Sequence, residues 1–143
     1  RTGIATIKPI PHRLEIKKLR DDILLIDDTY NGNSNGFQEG INLLNKFTGR
    51  RKVYITPGLV ETGKLAEKLH VEIGEKISNT ADLVILIQNS VTKFIINGLE
   101  KNNFPKNKIL IYSNAKIAFQ EFWKHLKPGD VVLMQNDWSD NYY

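Results

Sequence analysis

The chain has 143 residues, of which 41% are hydrophobic and 25% are charged, and it contains no cysteine. These values are those of an ordinary globular domain with its own core, and the lack of cysteine excludes disulfides and thiolate metal sites. The net charge of +4 allows nucleic-acid binding without suggesting it, because the lysines are spread along the chain. No apolar run approaches the roughly 18 residues of a membrane span, and no signal peptide is visible. We therefore expect neither nucleic acid nor a membrane as a partner.

The two ends of the chain lack the regular pattern of its middle. Residues 1–11 contain two of the five prolines and no clear period, which predicts an incoming linker. Residues 136–143 have no period either, which predicts an irregular tail. With no interior boundary or repeat, we expect residues 1–143 to form a single domain. The chain begins with Arg1 and not with Met, so we expect it to be part of a longer or processed protein.

Between these ends, strand and helix patterns alternate. Strand patterns cover 12–19, 23–27, 52–56, 82–88, 108–112 and 131–134, and helix patterns cover about 37–48, 63–78, 90–100 and 115–126. This alternation predicts mostly parallel pairing, right-handed crossovers and helices on both faces of the sheet. The turn at Asp21-Asp22 predicts a hairpin, which makes the first strand an antiparallel edge. The fold class is therefore α/β, with a mostly parallel sheet of about six strands.

Each helix pattern carries an apolar stripe that predicts its buried face. The stripe residues are Phe37, Ile41, Leu44, Phe47, Leu65, Leu69, Ile73, Ile77, Val91, Phe94, Ile95, Leu99, Ala115, Ala118, Phe119, Phe122 and Leu126. Asn35, with Gln38 three residues on, resembles a capping box, and Ser90 predicts the cap of the third helix. The histidines show no metal-ligand spacing, and we expect His70 and His125 at the surface or boundary.

The second strand ends in Asp27 and Asp28, which are costly to bury and should emerge at the carboxyl edge of the sheet. Open α/β sheets bind their ligands at that edge. Adjacent residues on a strand point to opposite faces, so we expect one aspartate to be functional and the other structural. For the functional one, hydrogen bonding to a ribose and simple loop capping are equally supported by the residues.

Polar residues on both sides of this strand are candidates for the same site. Arg13 flanks the first strand beside the acidic edge, where it could form an ordinary ion pair or an anion clamp. Asn31, Asn33 and Asn35 alternate with glycine and serine. A tight loop explains them, because Asn and Gly tolerate left-handed backbone, although their amides could also bind a base or a peptide.

The loop after the third strand, Gly58–Lys64, matches the G-x-x-x-x-G-K pattern of a phosphate-binding loop and precedes a helix. Leu65 follows, where that motif needs Ser or Thr to hold magnesium. Pro57 and the bulky Leu59-Val60 also make a poor phosphate cradle. We therefore favour an ordinary loop and helix start over a nucleotide site.

Three stretches together resemble a known family. They are His12-Arg13-Leu14-Glu15, then the run from Ile26 to Asn33 that reads IDDTYNGN, and finally the turn and strand from Leu126 to Leu133. This order resembles the carboxy-terminal domain of the Mur ligases, and it is most similar to the MurF type, which adds D-alanyl-D-alanine to the peptidoglycan precursor. The resemblance covers nearly the whole chain.

The resemblance implies a Rossmann-like three-layer sandwich that binds nucleotide and acceptor within an ATP-dependent amide ligase of peptidoglycan precursor synthesis. The implied reaction passes through an acyl phosphate and releases ADP and phosphate. Its partners are ATP or ADP, an amino acid or dipeptide acceptor, and a UDP-muramoyl-peptide held by other domains. The magnesium and phosphate sites are expected mainly on a central domain, so this chain should carry neither a metal site nor a catalytic residue. Alone it should be inactive, and the location implied is the cytoplasm.

The resemblance also assigns residues. It places Arg13 near the nucleotide phosphates and ribose, Asp28 on the ribose, and Tyr30, Asn31 and Asn33 around the adenine and the closed interface. The chain departs from the family by Ser34 in place of proline, by 57–61 in place of a Gly-Asp-Met run, and by 135–137 in place of Lys-Gly-Ser. The last two departures fall where the acceptor is handled, so the acceptor-binding residues expected are Glu61, Asn136 and Asp137.

Two other functions fit the same residues. A stand-alone Rossmann-like nucleotide-binding or regulatory module would share only the fold, since a fold does not fix a function. A non-catalytic partner protein would use the aromatic tail Trp138–Tyr143 as an interaction surface.

Overall fold

The computed structural model describes residues 11–30, 32–60 and 62–135. In these ranges one sheet contains the strands β1 Glu15–Lys18, β2 Leu24–Asp28, β3 Lys52–Thr56, β4 Leu83–Ile87, β5 Ile109–Tyr112 and β6 Val131–Gln135. Their order is β1-β2-β6-β3-β4-β5, with β1 antiparallel to β2 and every other pair parallel. The predicted sheet with an antiparallel edge is confirmed. The predicted linker, apart from Pro11, and the predicted tail lie outside the described residues.

Helices cover both faces of this sheet. They are α1 Ser34–Asn45, α2 Ala66–Ser78, α3 Thr92–Lys101 and α4 Ala115–Glu121, with a 3-10 turn Phe122–His125 after α4. The chain moves in one direction across the sheet from β2 through β3 and β4 to β5, and right-handed crossovers place α1, α2 and α3 on one face. The step from β5 back to β6 reverses direction, so α4 lies on the other face. None of the described helices is long and apolar enough to cross a membrane.

The central strands are buried on both faces, as continuous apolar runs predict. In β6, Val131 and Leu133 join the core under α1, α2 and α3, while Val132 and Met134 join the core under α4. Because β6 lies between β2 and β3, its last residue, Gln135, is the neighbour of Asp28 at the carboxyl edge.

The helices α2 and α3 touch through their backbones at two glycines. A Cβ on Gly74 would lie 2.1 Å from the carbonyl oxygen of Ile95, and a Cβ on Gly98 would lie 2.1 Å from the carbonyl oxygen of Val71. Real Cβ atoms do not approach a backbone oxygen so closely, so both positions require glycine for the helices to pack at this distance.

Several local predictions were wrong. α1 is capped by Asn33, whose Oδ1 accepts from the amide of Gly36 at 2.8 Å, and not by Asn35. α3 begins at Thr92 and has Val91, not Ser90, at its N-cap position, while Asn89 accepts from the Val91 amide at 3.0 Å.

Two predicted core residues are exposed, and one predicted surface residue is buried. Leu65 is 58% exposed because it belongs to the 3-10 turn Gly63–Leu65 and not to the regular helical stripe of α2. Phe119 is 40% exposed, since α4 ends at Glu121 and the chain tightens into a 3-10 turn. His70 is fully buried, because both of its ring nitrogens find backbone partners inside the protein.

Candidate functional site

Asp28 lies at the carboxyl end of β2 and is partly buried. Its Oδ1 accepts a hydrogen bond from the amide of Leu14 at 3.3 Å, and its Oδ2 accepts one from Nε2 of Gln135 at 2.8 Å. A carboxylate offers about four lone-pair positions. The two neutral donors therefore fix the plane of the group and leave it the capacity to accept from a ligand.

Gln135 is fully buried and connects Asp28 to the core. Its Oε1 accepts from the hydroxyl of Tyr54 at 2.7 Å, and its Nε2 also faces the carbonyl oxygens of Gly36 and Phe37 at 3.1 and 3.4 Å. Gln135 was predicted to follow the last strand, because the strand pattern ends at residue 134. The structure shows that β6 continues to this residue, so its side chain points into the protein and not into the expected acceptor region.

Groups around Asp28 act on the pKa of its carboxyl in both directions, and the net effect is a rise. Burial raises the pKa of its carboxyl above the ordinary value, and the nearby Asp27 adds to this, while the donors Gln135 and Leu14 and the Arg13 guanidinium act in the opposite direction. Burial also raises the pKa of Tyr54 strongly, so its hydroxyl keeps its proton and acts as a donor.

Asp27 has different partners on the other face of the sheet. Its Oδ2 lies 2.8 Å from Nδ1 of His12 and 2.9 Å from Nζ of Lys17, and its Oδ1 accepts from the hydroxyl of Thr29 at 2.8 Å. Burial alone would raise its pKa, but these hydrogen bonds outweigh burial and lower it. The two aspartates therefore face opposite sides of the sheet, as strand alternation predicts. Asp27 links the two strands of the hairpin through its contact with Lys17.

Arg13 and Tyr30 form a second pair beside Asp28. The guanidinium carbon of Arg13 lies 4.9 Å from the centre of the Tyr30 ring, which is 54% exposed. The residues on both sides of Arg13 have positive φ, 62° at His12 and 49° at Leu14. Such backbone is unfavourable for residues other than glycine and occurs often at functional sites. It leaves Arg13 exposed at the open end of the hairpin.

The structure thus brings together three predicted nucleotide-binding residues, Arg13, Asp28 and Tyr30. Asn33 lies at the start of α1, where its side-chain oxygen caps the helix. The remaining predicted site residues lie outside the described ranges; they are Asn31, Glu61, Asn136 and Asp137. Sequence reasoning missed Gln135 and Tyr54; a polar residue at the end of a central strand would have been the signal for Gln135.

The loop after β3 does not offer a phosphate cradle in its described part. Gly58 has a φ of 92° and donates its amide to the hydroxyl of Thr56 at 3.0 Å. Leu59 is buried in the core, and its amide donates to Nε2 of His70 at 2.9 Å. Because two of the loop amides already have partners inside the protein, the ordinary-loop interpretation fits the structure.

His12, Glu15 and Asp27 place three ligand atoms within 4.8 Å of one another, which is a possible metal-binding spacing in the described part of the chain. Lys17 lies in the same group, with its ammonium 2.9 Å from Asp27 and 3.2 Å from Glu15. The ammonium of Lys17 already contacts both carboxylates, so the group fits an ion-pair network better than a divalent metal site.

Two curated proteins are similar in sequence to this chain. The UDP-N-acetylmuramoyl-tripeptide--D-alanyl-D-alanine ligase of Bacillus subtilis (strain 168) is 26% identical over 134 residues, which are 93% of this chain and 29% of that protein. The protein of the same name from Escherichia coli (strain K12) is 33% identical over 75 residues, 52% of this chain and 16% of that protein. The chain therefore spans less than a third of the length of these relatives.

Comparison with solved structures and with a family model gives matches of the same kind. The MurF ligase from Thermotoga maritima in complex with ADP is 27% identical, with a TM-score of 0.73 over 94% of this chain and 29% of that chain. A MurF from Acinetobacter baumannii is 16% identical with a TM-score of 0.76, which shows the shared fold. A model of the Mur ligase, glutamate ligase domain matches residues 12–135. The chain belongs to this Mur ligase carboxy-terminal domain family, and within it the chain is most similar to the MurF type.

Proposed function

We propose that this domain binds nucleotide and acceptor as the carboxy-terminal part of a MurF-type, ATP-dependent amide ligase that acts in peptidoglycan precursor synthesis in the cytoplasm. In the proposed reaction, a carboxylate of the UDP-muramoyl-peptide attacks the γ-phosphorus of ATP, and ADP leaves. The amine of an amino acid or dipeptide then attacks the acyl carbon of the resulting acyl phosphate. Phosphate leaves, and the amine gives up a proton as the amide bond forms.

The observation that carries this proposal is the grouping of Asp28, Arg13 and Tyr30 at one carboxyl edge of the sheet. This edge is where open α/β sheets bind ligands. The same fold, with 27% identity over 94% of this chain, occurs in a MurF ligase whose structure contains ADP. The three side chains supply an acceptor for ribose hydroxyls, a cation for phosphate oxygens and an exposed aromatic face for the base.

Each of these side chains has a separate role in the proposal. Asp28 accepts hydrogen bonds from the ribose hydroxyls, and Arg13 faces the phosphates and ribose. Tyr30, Asn31 and Asn33 lie around the adenine and the interface with the rest of the enzyme. Glu61, Asn136 and Asp137 contact the acceptor, since they follow β3 and β6 in the sequence.

Magnesium and the phosphate-binding loop belong to another domain in this proposal. The described group of His12, Glu15 and Asp27 already contacts the Lys17 ammonium, and its imidazole does not fit the all-oxygen coordination that magnesium prefers. The UDP-muramoyl-peptide is likewise held elsewhere. Closure between domains completes the site, so the isolated chain should release no phosphate from ATP and should bind nucleotide weakly.

Steady-state kinetics of the full-length enzyme test the proposal. Asp28→Asn removes one charge from the ribose acceptor, and Arg13→Ala removes the cation, so each should raise the KM for ATP by roughly tenfold. Asp21→Asn is the matched control, since Asp21 is exposed on the turn between β1 and β2. Unchanged KM values in both site variants would remove the site assignment. A panel of amine acceptors, with phosphate release as the signal, identifies the second substrate. If the protein binds nucleotide but releases no phosphate from ATP with any acceptor in the panel, the stand-alone module is favoured instead.

A further inference from the structure

Residues of the three neighbouring strands β2, β6 and β3 are connected by one series of hydrogen bonds. The amide of Gly58 donates to the Thr56 hydroxyl at 3.0 Å, and Thr56 in turn is hydrogen-bonded to Tyr54. The Tyr54 hydroxyl lies 2.7 Å from Oε1 of Gln135, whose Nε2 lies 2.8 Å from Oδ2 of Asp28. This series of hydrogen bonds thus runs from the loop after β3, through the core, to the Asp28 carboxylate that is assigned to the ribose.

We propose that Gln135, held by Tyr54, is the positioning residue that fixes the Asp28 carboxylate for nucleotide binding. The inference rests on the proposed function, because it deepens the role of the same site. Gln135 itself lies in the core and acts only through Asp28.

The surroundings determine which way the Gln135 amide points. Nε2 faces three oxygens that can only accept, those of Asp28, Gly36 and Phe37, so this atom must be the NH2 group. Oε1 faces the Tyr54 hydroxyl, which has one proton to donate. A flipped amide would place its oxygen against a carboxylate and two carbonyls. The donor aimed at Asp28 is therefore fixed by chemistry as well as by packing.

The space around Gln135 is closed by helix α1. A Cβ added to Gly40 would lie 2.2 Å from Nε2 of Gln135, so a side chain at this position would displace the amide. Gly40 and Gln135 are both buried. The close approach of α1 therefore prevents the amide from turning away from Asp28.

The held carboxylate has two properties that nucleotide binding needs. Its plane is set by donors on both oxygens, and its charged form is favoured by the same donors. The charged and titratable groups acting on Asp28 are Arg13, next to β1, and Asp27 on its own strand, while Tyr54 on β3 acts through Gln135. With Gln135 removed, burial and the Asp27 charge favour the protonated acid more strongly, so nucleotide binding should weaken most at low pH.

The test is the affinity of the full-length protein for ADP, measured by calorimetry from pH 5 to pH 8. Gln135→Met keeps the length of the side chain and removes both hydrogen-bonding groups. We expect about a tenfold loss of ADP affinity and a shift of the acid limb of the pH profile to higher pH. Tyr54→Phe keeps the Gln135 amide but removes the hydroxyl that orients it, so the affinity for ADP should fall about threefold. Gln88→Met is the matched control, because Gln88 is exposed directly after β4, and it should match the wild type.

A merely structural role for Gln135 would lower stability without moving the pH profile, and that result would overturn the inference. If Gln135→Met does not fold, the pH profile of ADP affinity in Tyr54→Phe serves as the test. If both variants keep wild-type affinity and profile while Asp28→Asn loses affinity, the positioning role is wrong and the proposed function stands. If Asp28→Asn also binds like the wild type, the site assignment and the positioning role are both overturned.

Discussion

The side chain of His70 accepts a hydrogen bond from the amide of Leu59, with 2.9 Å between Nε2 and the amide nitrogen. Its Nδ1 donates to the carbonyl of Ala66 at 2.6 Å, which fixes the neutral tautomer. A protonated ring has no acceptor left, so protonation would break the bond to Leu59 and release the loop after β3 from α2. Burial lowers the pKa of His70 below its ordinary value.

We therefore predict that stability falls in mild acid because of His70. The folded-state pKa lies below the unfolded value of 6.5, so the unfolded chain binds more protons between these two pH values. The free energy of unfolding should rise with pH through that window and level off above it. His70→Gln should be less stable at neutral pH by about 1–3 kcal/mol and should lose this slope. His125→Gln, on the other face, is the control for urea unfolding at pH 5, 6 and 7.5. An unchanged slope in His70→Gln would show that another group titrates.

A second prediction concerns the contact between α2 and α3. Gly98→Ala places a methyl group 2.1 Å from the Val71 carbonyl oxygen, so the helices must separate, at a cost of about 1–3 kcal/mol. Gly36→Ala is the matched control, because its Cβ would meet only Oδ1 of Asn33, at 3.5 Å. In that helical position alanine should be neutral or stabilising by about 0.5–1 kcal/mol. Thermal unfolding distinguishes the two, and equal melting temperatures would show that the helix contact is not tight.

A third prediction concerns acid stability through Asp27. The pKa of this carboxyl is lowered in the folded state, so its contribution is fully present above the unfolded value of 3.8 and is lost as the pH falls below it. Asp27→Asn should cost about 1–3 kcal/mol at pH 7, because Lys17 and His12 lose a charged partner.

The difference between the Asp27→Asn variant and the wild type should shrink as the pH falls from 4 towards 2. Denaturant unfolding at several pH values measures it. Asp21→Asn serves as the control, since Asp21 is exposed and its left-handed φ of 57° suits asparagine. A constant difference between Asp27→Asn and wild type across this range would argue against the ion pairs.

A fourth prediction separates the two roles of Asn33. Its Oδ1 caps α1, and we expect a contact with the nucleotide to be made through its amide NH2. Asn33→Asp keeps a capping oxygen and removes the NH2, whereas Asn33→Ala removes both. We expect the Ala variant to lose about 1 kcal/mol of stability and both variants to bind ADP several-fold more weakly. Wild-type ADP affinity in Asn33→Asp, with stability retained, would reduce Asn33 to a helix cap.

The fold could be predicted because its elements carry strong local signals. The apolar run of β2 and the stripe of α1 through Phe37, Ile41 and Leu44 are each explained by burial on a known face. The hairpin of β1 and β2 follows from the short turn at Asp21-Asp22. The place of β6 between β2 and β3 has no local signal, because it depends on pairing between residues about a hundred positions apart.

Within the site, sequence reasoning named candidates near the surface and missed the residues beneath them. Asp28 and Arg13 were recognisable as candidates because they are charged residues beside a strand end and match positions of the family motif. Gln135, Tyr54 and His70 were not, because a polar side chain near an apolar stripe can be exposed or buried, and only its partners decide which. His70 is buried because the Gly58-Leu59 turn supplies an amide for its ring.

The position of β6 has a consequence for the order of events during synthesis. This strand is the last described element of the chain, yet it fills the gap between β2 and β3. A nascent chain that has not yet reached Val131 would have β2 and β3 without a shared neighbour, and Asp28 without the amide that holds it. Completion of the sheet and assembly of the site at its edge therefore both require that β6 has been synthesised.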